Sequence, residues 1–111
     1  MPAITPFGFG RNEYYPTEEE YLHALGEALR EEYRAIVDAG LILQVDDPRL
    51  TEIMSDDPAS TPAERRRAAE AHIEQVNDAL RGIPVEKVRF HTCYGLNHGP
   101  RLHDAPLKEL T

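Results

Sequence analysis

The spacing of apolar residues predicts a long amphipathic helix in the first third of the chain. Over residues 21–37, apolar side chains recur every three or four positions, which places them on one face of a helix. Thr17 followed three residues later by Glu20 is a capping box, a pattern that satisfies the first unpaired N–H groups of a helix. Gly40 supplies the left-handed conformation in which helices commonly end. These signals predict a helix over residues 17–39.

A second helix is predicted from the same signals. Thr61, Pro62 and Glu64 combine a capping side chain, a proline suited to the first helical position and a capping-box glutamate. Apolar residues then recur at helical spacing until Gly82 closes the pattern. We predict a helix over residues 62–81.

Two short apolar runs alternate with these helices and predict strands. The first, LILQV, covers residues 41–45, and the second, KVRFHT, covers residues 87–92. The first run has no clean alternation, which suits a strand buried on both faces in a parallel sheet covered by helices. Residues 3–5 fit the end of an earlier strand that precedes an irregular loop. The order strand end, helix, strand, helix, strand predicts an α/β fold of right-handed parallel βαβ units.

Polar side chains follow both predicted strands where such sheets carry their chemistry. Asp46 and Asp47 come after the first strand, and His91 and Cys93 stand at the end of the second. Residues two apart in a strand point to the same face, so His91 and Cys93 can converge on one zinc ion if the backbone stays extended between them. A catalytic zinc normally takes three protein ligands, however, and the alternative is a buried cysteine beside a polar histidine.

The two aspartates also have two interpretations. Asp-Asp-Pro is a common way to begin a loop, because aspartate forms Asx-turns and proline fixes φ. Alternatively, a carboxylate at the end of a parallel strand is well placed to hold the ammonium group of a substrate. His72 lies on the apolar stripe of the second helix, where we expect it to be packed.

Composition narrows the possible functions. The chain of 111 residues supports one domain at most and has no apolar run long enough to cross a membrane. Its net charge of −8 excludes the basic surface that nucleic-acid binding requires. A single cysteine cannot form an internal disulfide, and the N-terminus has no signal-peptide pattern. We therefore expect a cytoplasmic protein that binds neither nucleic acid nor membrane.

Two stretches of the chain resemble a known family. Residues 12–50, NEYYPTEEEYLHALGEALREEYRAIVDAGLILQVDDPRL, and residues 88–110, VRFHTCYGLNHGPRLHDAPLKEL, resemble the catalytic barrel of cobalamin-independent methionine synthase. They are especially similar to its shorter relatives, which include epoxyalkane:coenzyme M transferase-like proteins. In that family a hydrophobic strand ending in Asp-(Glu/Asp)-Pro precedes a strand ending in His-x-Cys, at about the spacing found here.

The resemblance implies a fold, an activity and residue roles. The family is a (βα)8 barrel in which zinc binds a substrate thiol, lowers its pKa and presents it to an alkyl donor. For methionine synthases the thiol is homocysteine and the donor is a methyl-folate. Transferred by motif, His91 and Cys93 correspond to zinc ligands, and Asp46 corresponds to the carboxylate that holds the amino acid's ammonium group.

The chain also departs from the family pattern. The family completes its zinc site with a glutamate from the next strand and a second cysteine near the end of the barrel, and the 111 residues contain only one cysteine. A full barrel needs about 250 residues, so residues 1–111 are expected to form a single partial TIM barrel with about three of its eight strands.

Two functional hypotheses follow from the sequence. The first is a segment of a zinc-dependent thiol methyltransferase that is inactive as this chain alone and whose partners are a thiol such as homocysteine and an alkyl donor. The second is a stand-alone, non-catalytic α/β module or truncated pseudoenzyme. Such a module would associate through its open sheet edges, including with itself, because unpaired strand edges template association.

Overall fold

The computed structural model describes residues 12–55, 59–94, 99–100 and 102–110. Within these residues the chain forms three α-helices, a two-stranded parallel sheet and two short 3-10 turns. In chain order the elements are α1 (Glu18–Asp38), β1 (Leu43–Asp46), α2 (Arg49–Met54), α3 (Pro62–Ala79), a 3-10 turn (Val85–Lys87), β2 (Val88–His91) and a second 3-10 turn (Leu107–Glu109). The predicted α/β class is confirmed.

The ends of both long helices follow the capping signals in the sequence. The Thr17 hydroxyl accepts a hydrogen bond from the Glu20 N–H at the start of α1. At the start of α3, Thr61 and Glu64 make both bonds of the capping box. Both predicted helix-ending glycines have positive φ, 81° at Gly40 and 83° at Gly82. Each helix ends within two residues of its predicted limit.

The two strands pair in parallel, as predicted. Leu43 is the register partner of Val88, and Asp46 is the partner of His91. Helices α1 and α3 share one hydrophobic core with β1, so they pack against the same face of that strand. The buried core residues are Leu29, Tyr33, Leu43, Val45, Val76 and Ala79. Burial, with the negative charges of Glu32 and Asp47, raises the pKa of Tyr33 to about 12.

The prediction that β1 is buried on both faces was wrong. Leu43 and Val45 are fully buried against the helices, whereas Gln44 between them is exposed. Ile42, just before the strand, is 61% exposed. The physical reason is that, in the described part of the chain, helices cover only one side of the sheet. Part of the apolar run therefore lies on a face of the sheet that no described residue covers.

The strand end predicted at residues 3–5 lies outside the described residues. In the part of the chain that is described, no helix combines the length and the hydropathy needed to cross a membrane.

Candidate functional site

The structure brings Asp46 and His91 into direct contact at the carboxyl edge of the sheet, where β1 and β2 both end. His91 Nδ1 lies 2.8 Å from Asp46 Oδ1, and both side chains are about half exposed. An ionised carboxylate can only accept a hydrogen bond. Nδ1 therefore carries the ring proton and donates the hydrogen bond to Asp46. This tautomer leaves Nε2 as the ring nitrogen that can bind a metal.

Gln44 belongs to the same polar cluster. Its side-chain amide donates a hydrogen bond of 2.9 Å to Asp46 Oδ1, the oxygen that also accepts from His91. The pKa of Asp46 is lowered, chiefly by the hydrogen bond from Gln44 and further by the bond from His91. Asp46 is therefore a carboxylate at neutral pH, as a partner for a substrate ammonium group must be.

Cys93 lies two residues beyond the end of β2 as a half-buried free thiol. Residues 91–93, which we term the ligand segment, are hydrogen-bonded to the chain that follows β1. The Asp47 N–H donates to the His91 carbonyl at 2.8 Å. The Thr92 hydroxyl donates to the Asp47 carbonyl at 2.8 Å, and the Thr51 hydroxyl lies 2.5 Å from the Cys93 carbonyl oxygen. All three residues of the ligand segment are thus hydrogen-bonded to Asp47, just after β1, or to Thr51 of α2.

Asp47 is a buried side chain with two sets of hydrogen-bond partners, and the sequence predicted only one of them. One carboxylate oxygen accepts from the Arg49 and Leu50 N–H groups at 3.0 and 3.2 Å, which caps the start of α2. The other oxygen lies 2.8 Å from His72 Nε2, and both side chains are buried. The turn interpretation was therefore correct for Asp47, and His72 is packed as expected.

Sequence reasoning missed the helix α2 and the pair between Asp47 and His72. Two signals were available. An aspartate followed by proline is an acceptable start for a helix, with the carboxylate as cap and the proline in the first turn. A histidine on an apolar helix face requires a hydrogen-bond partner when it is buried. The identity of that partner depends on how α3 crosses the end of β1, which local sequence does not specify.

The side chains of His91 and Cys93 supply some of the ligands that a zinc site requires. An imidazole nitrogen from His91 and a thiolate from Cys93 are ordinary zinc ligands. Among the described residues, however, no group of three or more His, Cys, Asp or Glu side chains is arranged to hold a metal ion. His98 lies outside those residues. By donor chemistry His91 and Cys93 fit two positions of a zinc site and do not complete it.

The chain is similar to archaeal methionine synthases. It is 31% identical over 85 residues to methionine synthase from Sulfolobus acidocaldarius, a match that covers 76% of this chain and 21% of the relative. The methionine synthase of Saccharolobus islandicus is 32% identical over 85 residues, covering 76% of this chain and 22% of the relative. That of Saccharolobus solfataricus is 31% identical with the same coverage. These matches support a relationship to the methionine synthases.

The chain spans only about a fifth of the length of these curated relatives. No protein-family model matches the chain. No solved structure matches it either.

Proposed function

We propose that this chain is a segment of the catalytic domain of a zinc-dependent thiol methyltransferase related to the methionine synthases. The observation that carries the proposal is the contact between Asp46 and His91 at the carboxyl edge of two parallel strands. That edge is where (βα)8 barrels place their catalytic residues. The similarity to methionine synthases over 76% of the chain supports the same conclusion.

The fold proposed for the whole domain is a TIM barrel of which residues 1–111 form one part. Support comes from the two faces of the sheet. One face of the sheet packs against α1 and α3. The other face carries Gln44, Asp46 and His91, and no described helix covers it. In a closed barrel the helices lie outside and the second face points inward, so this division matches a sector of such a barrel.

His91 and Cys93 are the residues proposed to hold the zinc. Bound there, the metal would supply Lewis-acid chemistry that lowers the pKa of a substrate thiol. Asp46 keeps the proton of His91 on Nδ1, so Nε2 would be the nitrogen that binds the metal. The remaining zinc ligands would come from parts of the domain other than the described residues.

Asp46 is also proposed to hold the substrate. Its lowered pKa keeps it negatively charged, which suits the ammonium group of an amino acid such as homocysteine. His91 and Gln44 both bond the same carboxylate oxygen, which orients the group at the carboxyl edge of the sheet beside His91. The substrate amine and thiol would thus be bound by residues on neighbouring strands.

We expect Asp46→Asn to weaken homocysteine binding by about ten- to a hundredfold, because a charged hydrogen bond is replaced by a neutral one. The measurement is calorimetric titration of homocysteine into the catalytic domain that completes the zinc site. Asp47→Asn is the control and should change the dissociation constant less, since Asp47 faces His72 inside the protein. Equal and small effects of both substitutions would instead favour a purely structural role for Asp46.

Self-association through the open sheet is a second candidate function, favoured by exposed apolar side chains. Leu41 and Ile42 are 60% and 61% exposed, and Phe90 is 43% exposed. They lie beside or within a sheet of two strands, each with one edge that is unpaired among the described residues. Such an edge is a template for another strand.

If the sheet associates with a second copy, sedimentation velocity should show a dimer whose fraction rises with concentration. Phe90→Lys should shift the equilibrium toward the monomer, because it places a charge on the β2 edge. Tyr14→Lys is the matched control, since Tyr14 is 87% exposed and lies before α1 rather than in the sheet. A monomer at every concentration would rule out this candidate.

A further inference from the structure

We infer that Thr51 is a positioning residue for Cys93, and that it holds the ligand segment in place before any metal binds. The metal-ligand role of Cys93 rests on the proposed function. The positioning of Cys93 by Thr51 rests on the hydrogen bonds of α2. It adds a role for the short helix α2, which carries none of the proposed metal ligands.

The Thr51 hydroxyl is the only described group of α2 shown to bond the ligand segment. Thr51 is 2% exposed, and its hydroxyl oxygen lies 2.8 Å from the Pro48 carbonyl and 2.5 Å from the Cys93 carbonyl. The Pro48 contact is the local bond that helical threonines commonly make. The Cys93 contact links residues 42 apart in sequence and is specific to the tertiary structure. A hydroxyl has one proton, and the shorter distance favours Cys93 as its acceptor.

Thr51 completes a series of bonds along the ligand segment. The backbone N–H and carbonyl of Asp47 already hold His91 and Thr92. Asp47 is itself fixed, because its carboxylate bonds the start of α2 and the His72 ring of α3. Each of the three residues of the ligand segment is therefore hydrogen-bonded to a buried residue. Without the Thr51 hydroxyl, Cys93 loses this bond.

This attachment matters because His91 and Cys93 must act together. Two side chains at positions i and i+2 share a face only while the backbone between them stays extended. A segment that is already ordered loses less conformational entropy when a metal binds it. Residues that orient metal ligands from outside the coordination sphere typically change metal affinity by about 10–100-fold when replaced.

The first test needs no metal. Carbonyl ¹³C NMR of the whole chain should show a changed Cys93 signal in Thr51→Val, which keeps the side-chain shape and removes the hydroxyl. Thr51→Ser should restore the signal, since it keeps the hydroxyl. Thr61→Ala is the control, because it removes the capping box of α3 and destabilises the fold without touching the ligand segment. An unchanged Cys93 signal in Thr51→Val would overturn the inference.

The second test uses Co²⁺ as the probe and follows the charge-transfer absorption from the Cys93 thiolate. We expect Thr51→Val to lower the Co²⁺ affinity by about tenfold or more, with Thr51→Ser and Thr61→Ala close to wild type. Equal losses in Thr51→Val and Thr61→Ala would mean that fold stability alone is responsible, and would overturn the inference. If the wild-type chain shows no thiolate band, the proposed metal role fails, while the carbonyl signal still decides whether Thr51 positions Cys93.

Discussion

We expect the isolated chain to bind zinc weakly and with little selectivity, to lose that binding entirely in Cys93→Ser and to lose most of it in His91→Ala. Zinc promotes thiolate formation strongly when three protein ligands fix the ion, and only two candidate ligands belong to the ligand segment. A further ligand would be water or a side chain from the residues that follow Cys93, such as His98, His103 or Asp104. Any such side chain loses conformational entropy when it binds the metal, which weakens the site.

Titration against a competing chelator measures this expectation directly, with zinc content determined on the same samples. His23→Ala is a suitable control, because His23 is an exposed histidine of α1 and lies outside the candidate site. No methyl transfer to homocysteine should be detectable with the isolated chain. Tight, stoichiometric zinc that survives His91→Ala would place the ligands elsewhere, and the proposed roles of both residues would be withdrawn.

The largest expected effect on stability is that of Asp47→Ala, which should lower the free energy of unfolding by about 3–5 kcal/mol because it leaves buried donors unsatisfied. The Asp47 carboxylate is fully buried and bonds both His72 and the first N–H groups of α2. Its removal leaves three buried or partly buried donors without their acceptor, and each unsatisfied group costs free energy. Domains of this size have small reserves of stability, so much of the variant should be unfolded at ordinary temperatures.

Urea unfolding followed by circular dichroism provides the measurement. Asp47→Asn should be less damaging, because its amide oxygen can still cap α2. Asp46→Ala is the matched control one residue earlier, and should change the unfolding midpoint little because Asp46 is half exposed. A midpoint for Asp47→Ala that equals that of wild type would show that the buried pair does not stabilise the fold.

The sequence by itself determined the two long helices, the two strands and the direction of their pairing. Capping residues at Thr17 and Thr61 and glycines at Gly40 and Gly82 act within a few residues, so their effect can be read locally. Strands separated by long helices pair in parallel for geometric reasons, and this places Asp46 and His91 at the same edge. The proximity of these two residues was therefore predictable without coordinates.

Only the tertiary structure decided which polar groups pair and which surfaces stay open. The hydrogen bond that His91 Nδ1 donates to Asp46 selects the tautomer of the ring, and it depends on the register of strands that bring together two residues 45 apart in sequence. The pair of Asp47 with His72 and the contact of Thr51 with Cys93 join distant segments whose approach is set by helix packing. Local patterns indicate that a buried polar group needs a partner, but the partner is chosen by the packing of the whole chain.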